Sequence, residues 1–388
     1  MLIVLAGSIG RLPVGGHAWV DMQYLLGLKA LGHEVVYLEE CGPESWVYDW
    51  HTQQLTNELD LPANYVRDCI EPVGFTGRWA YRAGDQIAGM SESQLDRMCA
   101  EADLFIVRGA PMPQWRDAYF KARRRVFIDS DPAFTQVHVA RGNGELVDTV
   151  RHCQQHFTIG QRLGEADCPV PTCGLDWIRT VAPIVLDHWS VADPPPNDAP
   201  FTTVMQWHSY KSLEHQGVEY GNKNVSFPAF FDLPRHMHAP LLIAMTGRPA
   251  QDIEALGWRI VDGHVPSATP ASYQRFIQQS RGEFSVAKHG YVNSRCGWFS
   301  DRSVCYLATG RPVVVQDTGL ADWLDVGEGV VSFDDLTGAA TGLDAVCADY
   351  DRHAAVARQL AKTMFDANLV LPALLDGEHW PPARSAPG

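Results

Sequence analysis

Residues 283–319 read EFSVAKHGYVNSRCGWFSDRSVCYLATGRPVVVQDTG, and this stretch decides the fold. Its β-branched run VVVQ predicts a buried parallel strand, because a strand covered on both faces is apolar throughout. Ser300 or Asp301 provides an N-cap for the helix that precedes this strand, and Gly310 provides a natural helix end. A short strand and a polar loop come before the helix. The order strand, loop, helix, strand predicts an α/β unit.

The start of this helix suits an anionic ligand. Free backbone N–H groups and the helix dipole favour negative charge there. Lys288, Arg295 and Arg302 add cationic groups on the same side. Asp317 and Thr318 follow the next strand, at the carboxyl end where open α/β sheets bind ligands, and can accept from sugar hydroxyls. An ordinary α/β unit with charged surface loops explains the same residues, so both interpretations stay open.

Three short motifs carry a resemblance to a known family. The turn and strand GRPVV begin at Gly310, the tripeptide CGW begins at Cys296 and is followed by Ser300, and GGH begins at Gly15 ahead of an amphipathic helix and a strand. With these motifs the chain resembles the GT-B glycosyltransferases. In that family a helix start in the second domain binds the diphosphate of the sugar donor.

The resemblance implies an α/β fold of the GT-B type, with two Rossmann-like domains facing across a cleft. Residues 1–190 would then be the acceptor-binding domain, and 191–357 the domain that binds the nucleotide sugar. Residues 358–388 would form a helix crossing back to the first domain, followed by a disordered tail. The sequence DPPPNDAP at 193–200 fits a linker, because its prolines stiffen the chain.

The chain departs from the family at several positions. Retaining members have a pair of glutamates where this chain has Gly297 and Cys305. The signature box containing Cys-Gly-Trp has a histidine at the position of Arg295 and a ribose-binding glutamate at the position of Ser303. Inversion and retention of the anomeric centre therefore both stay open.

The donor site is predicted from the helix-start chemistry and the resemblance together. Arginine in the first turn of a helix opposes the helix dipole, so Arg302 itself indicates an anion nearby. Lysines after the first strands of the second domain are further candidates for the diphosphate. The predicted donor-binding residues are Gly15, Gly16, Lys223, Lys288, Arg295, Ser300, Asp301, Arg302, Asp317 and Thr318.

His17 is the predicted catalytic base. It follows a glycine pair at the start of the first helix, and a histidine has a pKa suited to accepting a proton from an acceptor hydroxyl. In inverting relatives of the family, a histidine at this position is oriented by an aspartate from a later strand end. By that resemblance Asp129 is the predicted partner, with Asp131 as a substitute. The alternative is that His17 only begins the helix and contacts backbone or phosphate.

A metal site is a second alternative for the aspartates. Asp129-Ser130-Asp131 has the spacing of a DxD motif, in which two carboxylates share a divalent ion with a diphosphate. We expect no metal, because the phosphate-like loop lies in the second half of the chain. The spacings of the nine cysteines also contain no CxxC pair, which speaks against zinc and favours free thiols.

Composition limits the partners. The 388-residue chain has a formal net charge of −15, which argues against nucleic acid or an anionic membrane surface as the main partner. The start MLIVLAGSIG is predicted to be a first strand and not a signal peptide, and no apolar run has membrane-spanning length. We expect a cytoplasmic protein, as a monomer or homodimer.

The resemblance to the GT-B family implies a glycosyltransferase, which we expect to be of the hexosyltransferase type. It would use a nucleoside-diphosphate sugar as co-substrate, with UDP as the first nucleotide expected, and no other cofactor. The acceptor would be a small molecule or a glycan. Two alternatives stay open: a nucleotide-sugar epimerase or coupling enzyme on the same fold, and a non-catalytic protein that binds nucleotides or glycans.

Overall fold

A computed structural model describes residues 1–43, 46–49, 52, 54–249 and 251–382. Within them the chain alternates strands and helices. The strands are β1 Leu2–Ala6, β2 Glu34–Glu40, β3 Val47–Asp49, β4 Gln54–Thr56, β5 Trp79–Ala83, β6 Gln86–Gly89, β7 Leu104–Arg108, β8 Arg125–Asp129, β9 Gln155–Thr158, β10 Trp177–Arg179, β11 Phe201–Gln206, β12 Leu213–His215, β13 Val218–Tyr220, β14 Leu241–Thr246, β15 Arg259–Asp262, β16 Gly282–Ser285, β17 Val313–Gln316 and β18 Val330–Phe333.

The helices pack on both faces of the sheets, as parallel strands require. They are α1 Gly15–Ala30, α2 Asp60–Ile70, α3 Glu92–Glu101, α4 Asp117–Phe120, α5 Phe134–Ala140, α6 Gly144–His152, α7 Lys223–Ser226, α8 His264–Ser267, α9 Pro270–Gln278, α10 His289–Ser294, α11 Asp301–Ala308, α12 Leu336–Ala348, α13 Tyr350–Leu360 and α14 Ala367–Asp376.

Two large sheets organise the chain. The first has eight strands in the order β10-β9-β8-β7-β1-β2-β5-β6, all parallel except for the antiparallel pair β5 and β6. The second has six parallel strands in the order β15-β14-β11-β16-β17-β18. In each sheet the first strand along the chain lies inside, so the strand order reverses beside it. Such a reversal is where open α/β sheets bind ligands.

The central stretch folds largely as its sequence predicts. The strand VVVQ is β17, and all four of its residues are buried. The Ser300 hydroxyl caps α11 by accepting from the backbone N–H of Arg302 at 3.2 Å. Gly310 follows the helix with a φ of +73°, the left-handed conformation that glycine adopts most easily. The predicted polar loop differs, because residues 289–294 form the short helix α10.

The C-terminal helix packs on the first helix of the chain. A Cβ atom at Gly27 in α1 would lie 2.4 Å from a side-chain methyl of Leu371 in α14, so only glycine permits this contact. The backbone of Ile184 also accepts from Ala367 at 2.9 Å. The domain boundaries at 190 and 357 stay a prediction, and residues 383–388 of the predicted disordered tail lie outside the described residues.

The length and apolar character of the helices decide whether any of them could span a membrane. Among the described residues, none of them combines the length and the apolar character needed to cross a membrane. The expected cytoplasmic location stays a prediction.

Candidate active site between the two sheets

A cavity of about 530 Å³ lies where the carboxyl ends of the two sheets face each other. Arg108 ends β7 and Gln206 ends β11, and both line it. A second lobe of about 300 Å³ shares His17, Gln206 and Arg302 with the first, so the two form one cleft. The strand-order reversals of both sheets, at β1 beside β7 and at β11 beside β16, border this cleft. The topology therefore brings two expected ligand sites together.

His17 borders the cleft in a neutral form. Its Nε2 lies 2.7 Å from the Ser8 hydroxyl and 3.4 Å from a guanidinium nitrogen of Arg108. Burial, and then the charge of Arg108, lower the pKa of His17 to about 4. A guanidinium only donates hydrogen bonds, so Nε2 is the acceptor and Nδ1 carries the proton. At neutral pH this ring is therefore a neutral imidazole with its proton on Nδ1.

The carboxylate next to His17 is Asp21. It is fully buried, accepts from the backbone N–H of Ser8 at 3.0 Å, and forms an ion pair with Arg108. Asp21 therefore holds both groups that contact the His17 ring. Sequence reasoning missed Ser8, Asp21 and Arg108 as site residues. The only signal was that Arg108 ends a predicted strand, and it becomes informative once β7 is known to neighbour β1.

The structure does not bring Asp129 to His17, so the expected pair is corrected. Its buried carboxylate accepts from the Gln136 amide at 2.8 Å, from the Thr158 hydroxyl at 2.7 Å and from the backbone N–H of Asp131 at 2.9 Å. Burial raises the pKa of Asp129. These bonds fix the turn after β8, which is a structural role.

Lys223 is the most unusual charged group in the cleft. It begins α7, only 9% of it is exposed, and it lines the cavity. Its ammonium has no hydrogen bond or ion pair among the described residues. Burial, and then the charge of Arg302, lower the pKa of Lys223 well below its ordinary value. Burying an ammonium without a partner is costly, so this arrangement suits an anionic ligand.

Ser300 and Asp301 lie in the same cavity, at the start of α11. The helix start thus faces the cleft, as its sequence predicts. Arg302 also lines the cavity, but its guanidinium is already bound by protein groups. It donates to the Glu283 carboxylate at 2.5 Å, to the Ser285 hydroxyl at 2.7 Å and to the Val204 carbonyl at 3.1 Å. The anion that its position indicated is therefore Glu283, which is fully buried.

Lys288 lines the cavity and forms an ion pair with Asp131 on the opposite side. Its ammonium lies 3.0 Å and 3.1 Å from the two carboxylate oxygens of Asp131, which follows β8 of the first sheet. Tyr210 and Tyr291 donate to the same carboxylate. In this structure Lys288 is thus a link between the sheets, and Asp131 is engaged by three groups. The described residues contain no cluster of three metal-ligating side chains that would complete the DxD alternative.

Gly15 and Gly16 allow the two halves of the chain to pack closely. A Cβ atom at Gly15 would lie 2.1 Å from the carbonyl oxygen of Thr269, and one at Gly16 would lie 2.8 Å from the ring of Tyr273. Beside them Trp19 donates to the carbonyl of Pro270 at 2.9 Å. These close approaches explain the glycines without a ligand, although Gly16 also lines the 300 Å³ lobe.

Three predicted donor residues lie outside the cleft. Arg295 is half exposed and pairs with Asp317 at 3.3 Å. Asp317 also accepts from the backbone N–H groups of Gly319 and Leu320, and the Thr318 hydroxyl donates to the backbone at 2.6 Å. None of the three lines the cleft as the described residues form it. Their side chains hold the loops after α10 and β17 in place, and their contact with the donor stays a prediction.

Comparison with known proteins identifies the fold. No protein-family profile matches the chain, and no curated protein matches its sequence. Among solved structures, an alpha-glucosyltransferase in complex with UDP is similar with a TM-score of 0.61 and 12% identity, over 96% of this chain and 98% of that chain. An alpha-glucosyltransferase in complex with UDP and a 13-mer DNA gives 0.60 and 11%, over 97% and 98%. The Anabaena HepE protein in complex with UDP and glucose gives 0.54 and 11%, over 96% and 98%.

These similarities span nearly the whole of each chain. At such low identity they establish a shared fold, and the fold is the GT-B fold that the sequence resemblance implied. The cleft described above lies at the strand-order reversals of both sheets, where this architecture is suited to bind a ligand.

Proposed function

We propose that this protein transfers a sugar from a nucleoside-diphosphate sugar to a hydroxyl group of an acceptor bound in the cleft. The observation that carries the proposal is Lys223, a largely buried residue that lines the cavity and whose ammonium has no protein partner among the described residues. It borders the same cavity as the start of α11, where Ser300 and Asp301 lie. A diphosphate between them would gain a counter-charge and backbone N–H donors.

The ligands of the similar structures support UDP and a hexose as the first donor to test. Two of those proteins are bound to UDP, and the Anabaena protein is bound to UDP and glucose. The same positive groups would stabilise the charge that develops on the leaving diphosphate, which is a large contribution to catalysis in such sites. In this proposal the protein itself supplies that charge, with no metal ion or further cofactor.

The base role of His17 stays part of the proposal, under one condition. A general base needs a free lone pair directed at the acceptor hydroxyl. The Nε2 lone pair now faces Ser8 and Arg108, at 2.7 and 3.4 Å. For His17 to accept a proton, Nε2 would have to exchange its contact with Arg108 for one with the acceptor. Otherwise the Nδ1–H group of His17 would serve as a hydrogen-bond donor to the substrate.

We propose a small molecule or a glycan as the acceptor. One of the similar structures contains DNA together with UDP. The net charge of −15 on this chain makes a DNA acceptor unfavourable, because DNA binding depends on positive groups that neutralise phosphates. DNA at low salt should therefore leave the unfolding temperature unchanged.

The first test is nucleotide binding by thermal unfolding with UDP, GDP, dTDP and ADP. A ligand at one hundred times its dissociation constant stabilises the folded protein by about 2.7 kcal/mol. We expect UDP to raise the unfolding temperature of the wild type and of Lys211→Met, an exposed lysine outside the cleft, but not of Lys223→Met. An equal shift in Lys223→Met would overturn the anion site. Release of UDP from UDP-glucose that requires an acceptor distinguishes transfer from epimerisation and from binding alone.

A further inference from the structure

A second cavity, of about 550 Å³, lies beside the cleft. Helix α2 and strand β3 of the first half border it on one side, and residues 268–270 of the second half border it on the other. Its volume falls within the range of about 300–1,000 Å³ that holds small-molecule ligands in proteins. No described residue that lines the cleft also lines this cavity, so it is a separate compartment.

Only a thin wall separates this cavity from the cleft. Val14 and Ser267 line the 300 Å³ lobe of the cleft, whereas their chain neighbours Pro13 and Ala268 line the second cavity. The wall is therefore one residue thick along both segments. At its edge the ring of Tyr48, from the cavity, lies 5.9 Å from the ring of His264, from the lobe. A molecule with one end in each compartment would therefore pass the ring pair of Tyr48 and His264.

The lining of the second cavity is dominated by rings and aliphatic groups. Tyr48, Tyr65, Leu61, Pro13 and Pro270 all contribute to it. None of its described lining residues is cationic, in contrast to the cleft with its lysines. A nucleotide diphosphate therefore fits the cleft and not this cavity.

Three polar side chains of the lining, Asp49, Asn64 and Asp68, already have partners at the surface. Arg67 donates to the Asn64 amide at 2.7 Å and pairs with Asp68 at 2.9 Å, and the Thr52 hydroxyl donates to Asp49 at 2.8 Å. The Tyr65 hydroxyl is buried without a hydrogen-bond partner among the described residues, so the lining also offers a ligand one free polar group. Apart from this hydroxyl, ring and aliphatic contacts are what the lining offers to a ligand.

Exposed apolar side chains lie on the chain segments next to this cavity. Tyr48 is 43% exposed, its cross-strand neighbour Leu55 is 62% exposed, and Trp46 in the same hairpin is 57% exposed. Val265, next to His264, is 64% exposed. Clustered exposed apolar residues of this kind mark sites that bind apolar partners.

We propose that the second cavity binds the apolar, ring-bearing part of an uncharged acceptor whose hydroxyl reaches the cleft. The ligand is an acceptor only if the proposed sugar transfer holds, but its binding to the second cavity can be tested separately. The occupant is a small molecule with fused or linked rings. A glycan in the same place is the competing outcome.

The test uses 2-naphthol, a neutral two-ring compound with one hydroxyl, in a fluorescence titration of the full chain. Asn64→Trp places a large side chain in the cavity from an exposed position of α2 and should weaken naphthol binding at least tenfold. Arg67→Trp is the matched control, because it removes the same Asn64–Arg67 hydrogen bond without lining the cavity, and should bind naphthol like the wild type. Both variants should keep the UDP-induced rise in unfolding temperature. If Asn64→Trp does not fold, Asp68→Phe provides a second variant that fills the cavity.

Each outcome decides something. Equal naphthol binding by wild type, Asn64→Trp and Asp68→Phe, or none by the wild type, overturns the proposal. Displacement of naphthol by maltotriose overturns it in favour of a glycan. The expected naphthol pattern without any UDP shift supports the apolar site and counts against the proposed transfer. Transfer of glucose to naphthol in the wild type, lost in Asn64→Trp and kept in Arg67→Trp, supports both.

Discussion

The ammonium of Lys288 lies 3.0 and 3.1 Å from the carboxylate oxygens of Asp131, and this pair joins the two sheets across the cleft. The rings of Phe134, Tyr210 and Tyr291 surround the ammonium, with centroids at 4.9, 4.5 and 5.3 Å. Ring faces attract a cation and add to the charge pair. The contact therefore fixes how the ends of β8 and β16 face each other.

Replacing Asp131 by asparagine should destabilise the protein and make it more responsive to UDP. Loss of the carboxylate leaves Lys288 partly buried without its counter-charge, at a cost of about 1–3 kcal/mol for a pair that solvent still reaches. A diphosphate in the cleft can then supply the missing charge. Thermal unfolding should give a lower midpoint without UDP and a larger UDP shift than in the wild type. Asp232→Asn, in the exposed pair with Arg235, is the control and should change neither. An unchanged midpoint in Asp131→Asn would show that the pair contributes nothing to stability.

Lys223→Met should stabilise the protein in the absence of ligand, although it removes nucleotide binding. The side chains are similar in length, and the variant no longer holds an unpartnered ammonium in a largely buried residue. The pKa of Lys223 is lowered in the folded state, so the unfolded chain binds a proton that the folded chain does not. The cost of Lys223 therefore shrinks as the pH rises toward 10.5, its ordinary pKa.

Denaturant unfolding of both proteins at several pH values measures this difference. The stability advantage of Lys223→Met should be largest near neutral pH and decrease at higher pH. A constant advantage would mean that packing and not charge explains it, and a loss of stability would mean that the ammonium has a protein partner.

The elements of the fold could be predicted from local patterns. The apolar run at 313–316 and the Ser300 cap fix β17 and α11, since both signals act within a few residues. Helix α10 was not predicted, because it spans only six residues and Lys288 at its N-cap makes no side-chain cap. A helix of that length depends on its tertiary surroundings.

The site could be predicted only in part, and the reason is the range of the contacts. Asp129 finds its partner Gln136 seven residues away, whereas Arg108 and Asp21 pair across 87 positions. Strand-end positions indicate which residues can reach a cleft. They do not indicate which side chains instead bind the backbone of their own loop, as Asp317 does with Gly319 and Leu320. Ser300 and Lys223 lie in the cleft, and Arg295 does not.

His17 should make stability depend on pH in a defined window. Its pKa is lowered from 6.5 to about 4, so the unfolded chain binds a proton between these values and the folded chain does not. Stability contributed by the neutral ring is present above pH 6.5 and is lost as the pH falls toward 4. The loss is about 2 kcal/mol, less than the full shift implies because the ring borders the cleft.

Unfolding between pH 4 and 7 checks this expectation. In His17→Gln the decrease in unfolding free energy from pH 7 to pH 4 should be smaller by this amount. In His208→Gln, at an exposed position, the decrease should equal that of the wild type. The same shift predicts that a transfer rate that needs neutral His17 is level from pH 7 down to about 5 and falls only near 4. A fall centred near 6.5 would mean that the ring has an ordinary pKa, and hence that Arg108 and burial do not act on it as described.

Gly15→Ala should disturb the contact between the two halves of the chain. The added methyl would lie 2.1 Å from the carbonyl oxygen of Thr269, which is backbone and cannot rotate away. Relieving this overlap requires α1 and α9 to move apart, at a cost of about 1–3 kcal/mol. Gly144→Ala is the matched control, because Gly144 also begins a helix and a Cβ there meets nothing within 4 Å. That variant should be neutral or slightly stabilising. Because the cleft lies between the same halves, Gly15→Ala should also weaken UDP binding, whereas Gly144→Ala should not. Equal midpoints and equal UDP affinities in the two variants would mean that the halves do not meet at Gly15 and Thr269.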